Sequence, residues 1–280
     1  MELNDINLMA GLHTNWLGRV CYYEPVVGST NTLLKGMAWG KTAVFPPLPA
    51  GTIYLTDYQT HGRGRLQRQW VAPAATSLLF SLLFRPHWPP EQANWLTMMA
   101  GLAAAEAIEA ATGLTVKLKW PNDVMLYQEM GWRKVGGILL EGDVGENGRL
   151  HSVIIGLGLN INIPPDQLPP TTTPATSLLA ATGQPVDRIT LLTDLLQRLE
   201  QTYETNQSPQ PAWNQRLLTL GQAVRVTHTT PTATQIIEGT AEATDQWGYL
   251  LVRDAAGKQH TISAGDVTLR PAVDIADKSE

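Results

Sequence analysis

Three short stretches carry side chains whose types and spacing suit the handling of anions. The densest is Asp57-Tyr-Gln-Thr-His-Gly-Arg-Gly-Arg-Leu-Gln-Arg-Gln-Trp70, in which Arg63, Arg65 and Arg68 sit among Gly62 and Gly64 and Trp70 closes the run. Glycine lets a backbone approach a ligand closely and adopt positive φ. Arginine supplies a planar fork that matches phosphate or carboxylate oxygens. The stretch can therefore clamp an anion while Trp70 stacks on a flat ring. On spacing alone, a solvated basic loop with Trp70 plugging the core serves equally well. The second stretch, Lys119-Trp-Pro-Asn-Asp123, places a lysine and a carboxylate at a strand end, where they can hold a nucleotide and its Mg²⁺. Asn122 and Asp123 after Pro121 also make an ordinary hairpin turn, and in isolation that reading is favoured. In the third, Lys134-Val-Gly-Gly-Ile-Leu-Leu-Glu141, Lys134 opens an apolar strand and Gly136-Gly137 leaves bare backbone for a ring system.

Other patterns fail on inspection. Gly156-x-Gly158 follows an apolar strand, but Ile161 takes the third glycine position of a dinucleotide fingerprint and Pro164-Pro165 blocks the helix it needs. Gly36-Met-Ala-Trp-Gly-Lys-Thr42 is one residue short of a phosphate-binding P-loop. The six histidines show no metal spacing, the single cysteine (Cys21) excludes an internal disulfide, and no Gly-x-Ser-x-Gly elbow starts a hydrolase triad.

These residues need elements to position them. Thr52 to Asp57 and Ser77 to Phe84 read as strands, followed by a helix from Glu91 to Thr112 that stops at Gly113. Further strands are expected at Leu114–Lys119, Val135–Glu141 and Ser152–Leu159. Ile163 to Pro174 is Pro/Thr-rich and reads as a surface loop. An amphipathic helix capped at Asp187 or Thr190 carries Leu192, Leu195, Leu196, Leu199 and Tyr203 on one face, and a shorter one covers Ala212 to Leu220. From Gly221 the texture changes to short β segments: Ala223–His228, Ile236–Ala243, Tyr249–Arg253, Gln259–Ser263 and Val267–Leu269. Their close spacing predicts a small all-β barrel. The expected organisation is a unit over 1–220, a β module over 221–271 and a polar, disordered tail over 272–280.

Composition sets the outer limits. The 280 residues are 43% apolar and 16% charged, enough for a real core. With 20 basic against 25 acidic residues the net charge is −5, so any basic patch is local and the chain has no overall nucleic-acid footprint. Apolar stretches such as Leu78–Phe84 and Val153–Leu159 fall far short of the roughly 20 residues of a membrane span. The N-terminus shows no signal pattern, and a cytoplasmic protein is expected.

Taken together, and in this order, Ser29-Thr-Asn31, Gln59, Gly-Arg-Gly-Arg-x-x-Arg-x-Trp from Gly62 to Trp70, Lys-Trp-Pro-Asn-Asp from Lys119, Lys134 with Gly137, and Gly-x-Asn ending at Asn160 resemble the biotin–protein ligase family. The resemblance is strong from Tyr22 to about Asn162 and looser over the β module. The arginine-rich motif joined to Lys-Trp-Pro-Asn-Asp is long and specific. It implies an α+β fold, with a mixed sheet flanked by helices (the class II synthetase-like, biotin–lipoyl ligase fold) and a small C-terminal SH3-like β-barrel.

The resemblance also implies chemistry. Biotin's carboxylate attacks the α-phosphorus of ATP, pyrophosphate leaves, and a lysine amine of a biotin carboxyl carrier domain, as in acetyl-CoA carboxylase, then takes the biotinyl group. It makes Lys134, Arg65 and Arg63 the catalytic cations. Ser29, Thr30, Asn31, Gln59, Gly62, Arg63, Gly64, Arg65, Lys134 and Gly137 become the biotin-side set. Arg68, Trp70, Lys119, Asn122, Asp123 and Asn160 become the ATP-side set, with Asp123 on the Mg²⁺. The Gly136-Gly137 backbone is expected beside the biotin bicycle, and the arginine loop is expected to order over the adenylate and shield it from water. Three departures stand out: Leu66-Gln67 are uncharged, the stretch from Gln128 to Arg133 looks long, and too few residues precede Ser29 for a DNA-binding domain. No repressor role and no DNA or membrane partner are therefore expected, and a homodimer is left open. The competing readings are a lipoate or octanoate ligase and a non-catalytic biotin- or nucleotide-binding regulator.

Overall fold

A computed structural model describes residues 3–39, 47–128, 131–171, 173–229, 234–263 and 265–269. The Gly40-Lys41-Thr42 end of the P-loop-like stretch and the C-terminal tail lie outside them. The chain begins with a short helix, α1 (Asp5–Gly11), then β1 (Cys21–Val27), α2 (Thr30–Trp39), β2 (Ile53–Gln59) and β3 (Ser77–Phe84). It continues through α3 (Asn94–Thr112), β4 (Val116–Lys119), β5 (Asp123–Gln128), β6 (Gly131–Val144) and β7 (Leu150–Asn160). These strands make a seven-stranded sheet in the order β1-β2-β3-β7-β6-β5-β4. Only β1 and β2 run parallel among these neighbours.

Strand periodicity divides the sheet's two faces. Leu78, Phe80, Leu82 and Phe84 of β3 and Val153, Ile155, Leu157 and Leu159 of β7 join the main core under α3 and α5 (Arg188–Glu204), which follows the short α4 (Leu178–Thr182). The alternate residues point the other way: Leu83 and Ile154 pack beneath α2, and further along this face lie Ser81, Gly156 and Gly158. Large side chains thus fill one face, while small ones on the other leave room for a cavity floor.

Several expectations shift in detail. Glu91 to Thr112 begins as a 3-10 turn, and α3 proper ends at Gly113, whose φ of 70° suits glycine. Asp187 is the cap of α5, its carboxylate accepting the Thr190 amide at 2.8 Å. The helix expected over Ala212–Leu220 is instead α6 (Gln210–Arg216), after which Leu217 bridges to Leu118 beside the sheet edge. Lys134 does not open its strand. β6 begins at Gly131, and Gly131, Trp132 and Arg133 pair back along β5, so this part of the stretch that looked long is strand. A bulge between Val124 and Met125 sits opposite Lys134–Gly136. The loop over Ile163–Pro174 is no mere surface connection, since Lys134 N donates to Pro174 O and Thr176 N to Lys134 O, both at 2.8 Å.

The C-terminal segments β8 (Ala223–Thr229), β9 (Thr234–Thr244), β10 (Leu250–Arg253), β11 (Gln259–Ile262) and β12 (Asp266–Leu269) form a five-stranded antiparallel sheet, ordered β11-β10-β9-β8-β12. The β9–β10 turn docks this module on the larger unit. Trp120 Nε1 donates to Gly248 O at 2.9 Å, Trp95 Nε1 to Gln246 O at 2.9 Å and Asn94 Nδ2 to Trp247 O at 3.1 Å. Gly248 has φ +79°, and a Cβ there would come within 2.4 Å of Met98 Cε, so only glycine fits. Among the described residues no helix is long and apolar enough to cross a membrane.

Candidate functional site

The exposed sheet face, the arginine loop and the loop before Thr176 enclose a cavity of about 810 Å³. Of the residues assigned to the biotin-side and ATP-side sets, all but Gly62 line it. Gly62 acts one step back. A Cβ there would lie 2.3 Å from Trp70 O, so its bareness lets Gly62 O accept the Trp70 amide at 3.0 Å.

One end of the cavity is a buried polar cluster. Ser29, Thr30 and Asn31 are almost wholly buried at the start of α2. Ser81 Oγ lies 2.7 Å from Thr30 Oγ1 and 2.5 Å from Asn31 Oδ1. Gln59 Oε1 accepts the Thr30 amide at 2.8 Å. Gly156 makes this cluster sterically possible, because a Cβ there would stand 2.1 Å from Asn31 Oδ1.

The other end is cationic. Lys134 Nζ meets Asp123 Oδ1 at 2.6 Å and stands 5.7 Å from the centre of the Trp70 ring. Burial lowers the pKa of Lys119; Asp123 pulls it back, while Lys134 and Arg68 add to the lowering. The Arg65 guanidinium is pushed down by burial, against the opposing pull of Asp123. Half-buried cations with a single carboxylate between them form a site that anionic oxygens would stabilise. Between the two ends, Trp70 lies across bare backbone: a Cβ on Gly137 would be 3.2 Å from Trp70 Cζ3, and one on Gly158 2.6 Å from Trp70 Cε2. Trp70 Nε1 and Asn160 Oδ1 are buried and have no hydrogen-bond partner among the described residues. Asn160 Nδ2 donates to Thr176 O at 3.0 Å, and Asn122 Nδ2 to Ile138 O at 2.5 Å.

Three sequence expectations need correction here. The arginines do not form one clamp: the loop folds as a 3-10 turn with Leu66 and Gln67 at positive φ, and Arg63 turns away to Glu141 while Arg65 lies near Asp123 and Arg68. Gly136 does not face the cavity; a Cβ there would strike Leu159 Cδ2 at 2.3 Å in the core, leaving Gly137 alone on the open side. Asn122 closes the turn and Asp123 is already the first residue of β5. The sequence gives little sign of Glu141, Ser81, Gly156 and Gly158, whose parts depend on cross-strand register. Val267 and Leu269 of β12 also reach the cavity wall.

Residues 23–160 match the Biotin/lipoate A/B protein ligase family and residues 219–270 the Biotin protein ligase C terminal domain. The chain is 31% identical over 269 residues to the bifunctional ligase/repressor BirA of Bacillus spizizenii, covering 94% of this chain and 78% of that protein. It is 35% identical over 248 residues to the biotin--[acetyl-CoA-carboxylase] ligase of Mycobacterium tuberculosis, covering 86% and 85% respectively. Among solved structures, the biotin protein ligase from Aquifex aeolicus in complex with biotin and ATP superimposes with a TM-score of 0.68 at 28% identity, over 90% of this chain and 99% of that one. The chain belongs to the biotin protein ligase family.

Proposed function

We propose that this cavity joins biotin to ATP and passes the biotinyl group to a lysine of a biotin carboxyl carrier domain, in a cytoplasmic setting that suits a chain with one cysteine. The observation that carries the reading is the pairing of a buried polar end with a half-buried cationic end in one cavity. Biotin's ureido ring both donates and accepts hydrogen bonds, so it can add to the network of Ser29, Thr30, Asn31 and Gln59, whereas lipoate's dithiolane offers that polar end no comparable partner. The valeryl chain then runs over Gly137 towards Lys134, and the adenine lies against Trp70 with Asn160 and Asn122 near the nucleoside.

Two anions must meet in the first step. A carboxylate oxygen of biotin bonds to the α-phosphorus as the bond to the bridging oxygen breaks, and pyrophosphate carries away that electron pair. Lys134 and Arg65 hold the approaching oxygens, while Arg68 and Lys119 stabilise the departing charge. In the second step the neutral carrier amine attacks the acyl carbon, AMP leaves with its phosphate oxygen, and the amine's surplus proton passes to solvent. The described residues contain no cluster of three or more potential metal ligands, and Asp123 is committed to Lys134. They do not fit a resident Mg²⁺. The ion belongs with ATP as substrate, and no step is assigned through it.

The catalytic unit is taken to run to residue 220, with the β module beyond it. The test is incorporation of labelled biotin into a carrier domain with MgATP, beside a lipoate control. Lys134→Ala should lower pyrophosphate release about 10²- to 10³-fold, as for loss of a preorganised charge donor. Lipoate transfer matching biotin transfer, or a Lys134→Ala enzyme within threefold of the parent, would refute the proposal.

A further inference from the structure

Glu141 lies on β6 beyond the cavity floor, outside the residues that line it. Its carboxylate nevertheless gathers three separate parts of the site. Arg63 of the arginine loop donates to it in a two-pronged fashion, Nη1 to Oε2 at 2.9 Å and Nη2 to Oε1 at 3.2 Å. Lys35 Nζ from α2 reaches Oε1 at 3.1 Å, and Asn31 Nδ2 from the buried polar end reaches Oε2 at 3.2 Å. The Glu141 side chain is 16% exposed, whereas those of Arg63 and Lys35 are 43% and 44% exposed, so a fixed acid meets two cations on the more open side. Planar two-pronged pairing constrains direction as well as distance. Arg63 is also the residue whose bridge to Gln69 closes the neck of the loop. Holding Arg63 therefore holds the whole loop bearing Arg65, Arg68 and Trp70.

We propose that Glu141 is a positioning residue that latches the arginine loop to the polar end of the cavity, so that it governs how long the activated intermediate is retained without touching substrate. The proposal rests on the function given above, since retention has meaning only if an adenylate forms. Lys35 and Asn31 keep the carboxylate ionised and aimed, and the Asn31 bond links the state of the loop to the end proposed for biotin.

The test uses the full chain and Glu141→Gln, which preserves shape and can still accept the Asn31 hydrogen bond. Two readouts are made. Amide exchange over residues 61–70, measured without ligand, should rise in the variant while exchange over β3 and β7 stays as in the parent. Biotinyl-AMP formed from biotin and ATP should dissociate about tenfold faster, as for loss of a charge-assisted pair, with kcat for pyrophosphate release within threefold. Arg63→Gln should give the same loop exchange, and combining it with Glu141→Gln should add nothing further. Unchanged loop exchange in both single variants overturns the latch. Raised exchange with an unchanged dissociation rate overturns its role in retention. Should the parent form no biotinyl-AMP, the proposed function fails while loop exchange still decides the latch. If Glu141→Gln is unfolded, Glu141→Asp, which keeps the charge but is too short to hold the same two-pronged pairing with Arg63, carries both readouts.

Discussion

Replacing Gly158 by alanine tests whether Trp70 is the nucleotide-side wall. An ideal Cβ on Gly158 would sit 2.6 Å from Trp70 Cε2 and 2.9 Å from both Cζ2 and Nε1. Carbon contacts are comfortable at roughly 3.5–4.0 Å, so the ring must retreat by about 1 Å. Its backbone does not yield readily, because Trp70 N is held to Gly62 O at 3.0 Å. The ring must swing up into the cavity, at the roughly 1–3 kcal/mol typical of overpacking. If that displacement falls on the surface that receives adenine, ATP affinity should weaken by about 5- to 150-fold. Initial rates of pyrophosphate release across both substrate concentrations should show KM for ATP rising by such a factor and KM for biotin within about twofold. Trp70→Phe in the same background should restore part of the loss, because the smaller ring vacates the contested atoms. An unchanged KM for ATP with only a lowered melting temperature would reduce Trp70 to a structural plug. A shift in KM for biotin alone would reverse the assignment of the two ends.

Ser81→Ala should raise KM for biotin about tenfold with little change for ATP, since Asn31 Oδ1 and Thr30 Oγ1 lose their shared partner; equal effects on both substrates would place the polar end elsewhere. Burial disfavours the charged form of Lys119, and polyphosphate would favour it again, so nucleotide binding should take up protons on the alkaline side, below the ordinary lysine range, and weaken as pH rises. Calorimetry in buffers of different ionisation heat measures the uptake, and its persistence in Lys119→Gln would assign it to another group. Glu109 faces Arg216 through 2.8 and 2.9 Å bonds. Burial raises its pKa, but the Arg216 bonds, the Val116 amide and nearby cations outweigh this, and the net shift is downward. A depressed carboxyl gives stability that is present above its ordinary value and is lost as pH falls through the folded one. Glu109→Gln should therefore cost about 1–2 kcal/mol at neutral pH, and melting curves of variant and parent should converge in acid.

What the sequence makes legible follows from how singular each residue type is. Arg65 and Lys134 are ambiguous one stretch at a time, where a solvated loop or strand start serves as well, and become legible only through the order of the motifs together; the run from Ser77 to Phe84 is wholly buried as its composition demands. Glu141 is hidden because an acid ending an apolar strand reads as a solvated edge; its partners lie on α2 and the arginine loop, far off in sequence. Gly156 and Gly158 are conspicuous but mislead, since they resemble half of a dinucleotide fingerprint. Their actual role is steric and set by the β6–β7 and β3–β7 registers. α2 escapes notice because Gly36 interrupts it and its buried residues are Thr30, Asn31 and Leu34, too few and too polar to print a helical period.

A chain of net charge −5 can still build a receptor for two anions, because the cations converge from separate elements. Arg65 and Arg68 come from the loop, Lys119 ends β4 and Lys134 lies on β6, with Asp123 the carboxylate among them. Gathering them costs free energy in the folded chain, as the lowered pKa values of Arg65 and Lys119 show, and bound phosphate or carboxylate oxygens would offset that cost. Such a site must be held open by something other than the attraction of its own charges. Here the scaffold supplies that force from outside: Trp120, between Lys119 and Asp123, is buried against the C-terminal module through its bond to Gly248 O. Thr219 Oγ1 accepts the Trp120 amide at 3.0 Å. The turn that presents both ends of Lys119–Asp123 is thereby fixed from behind by hydrogen bonds and apolar contact, leaving the charges on its cavity side to be balanced by ligand.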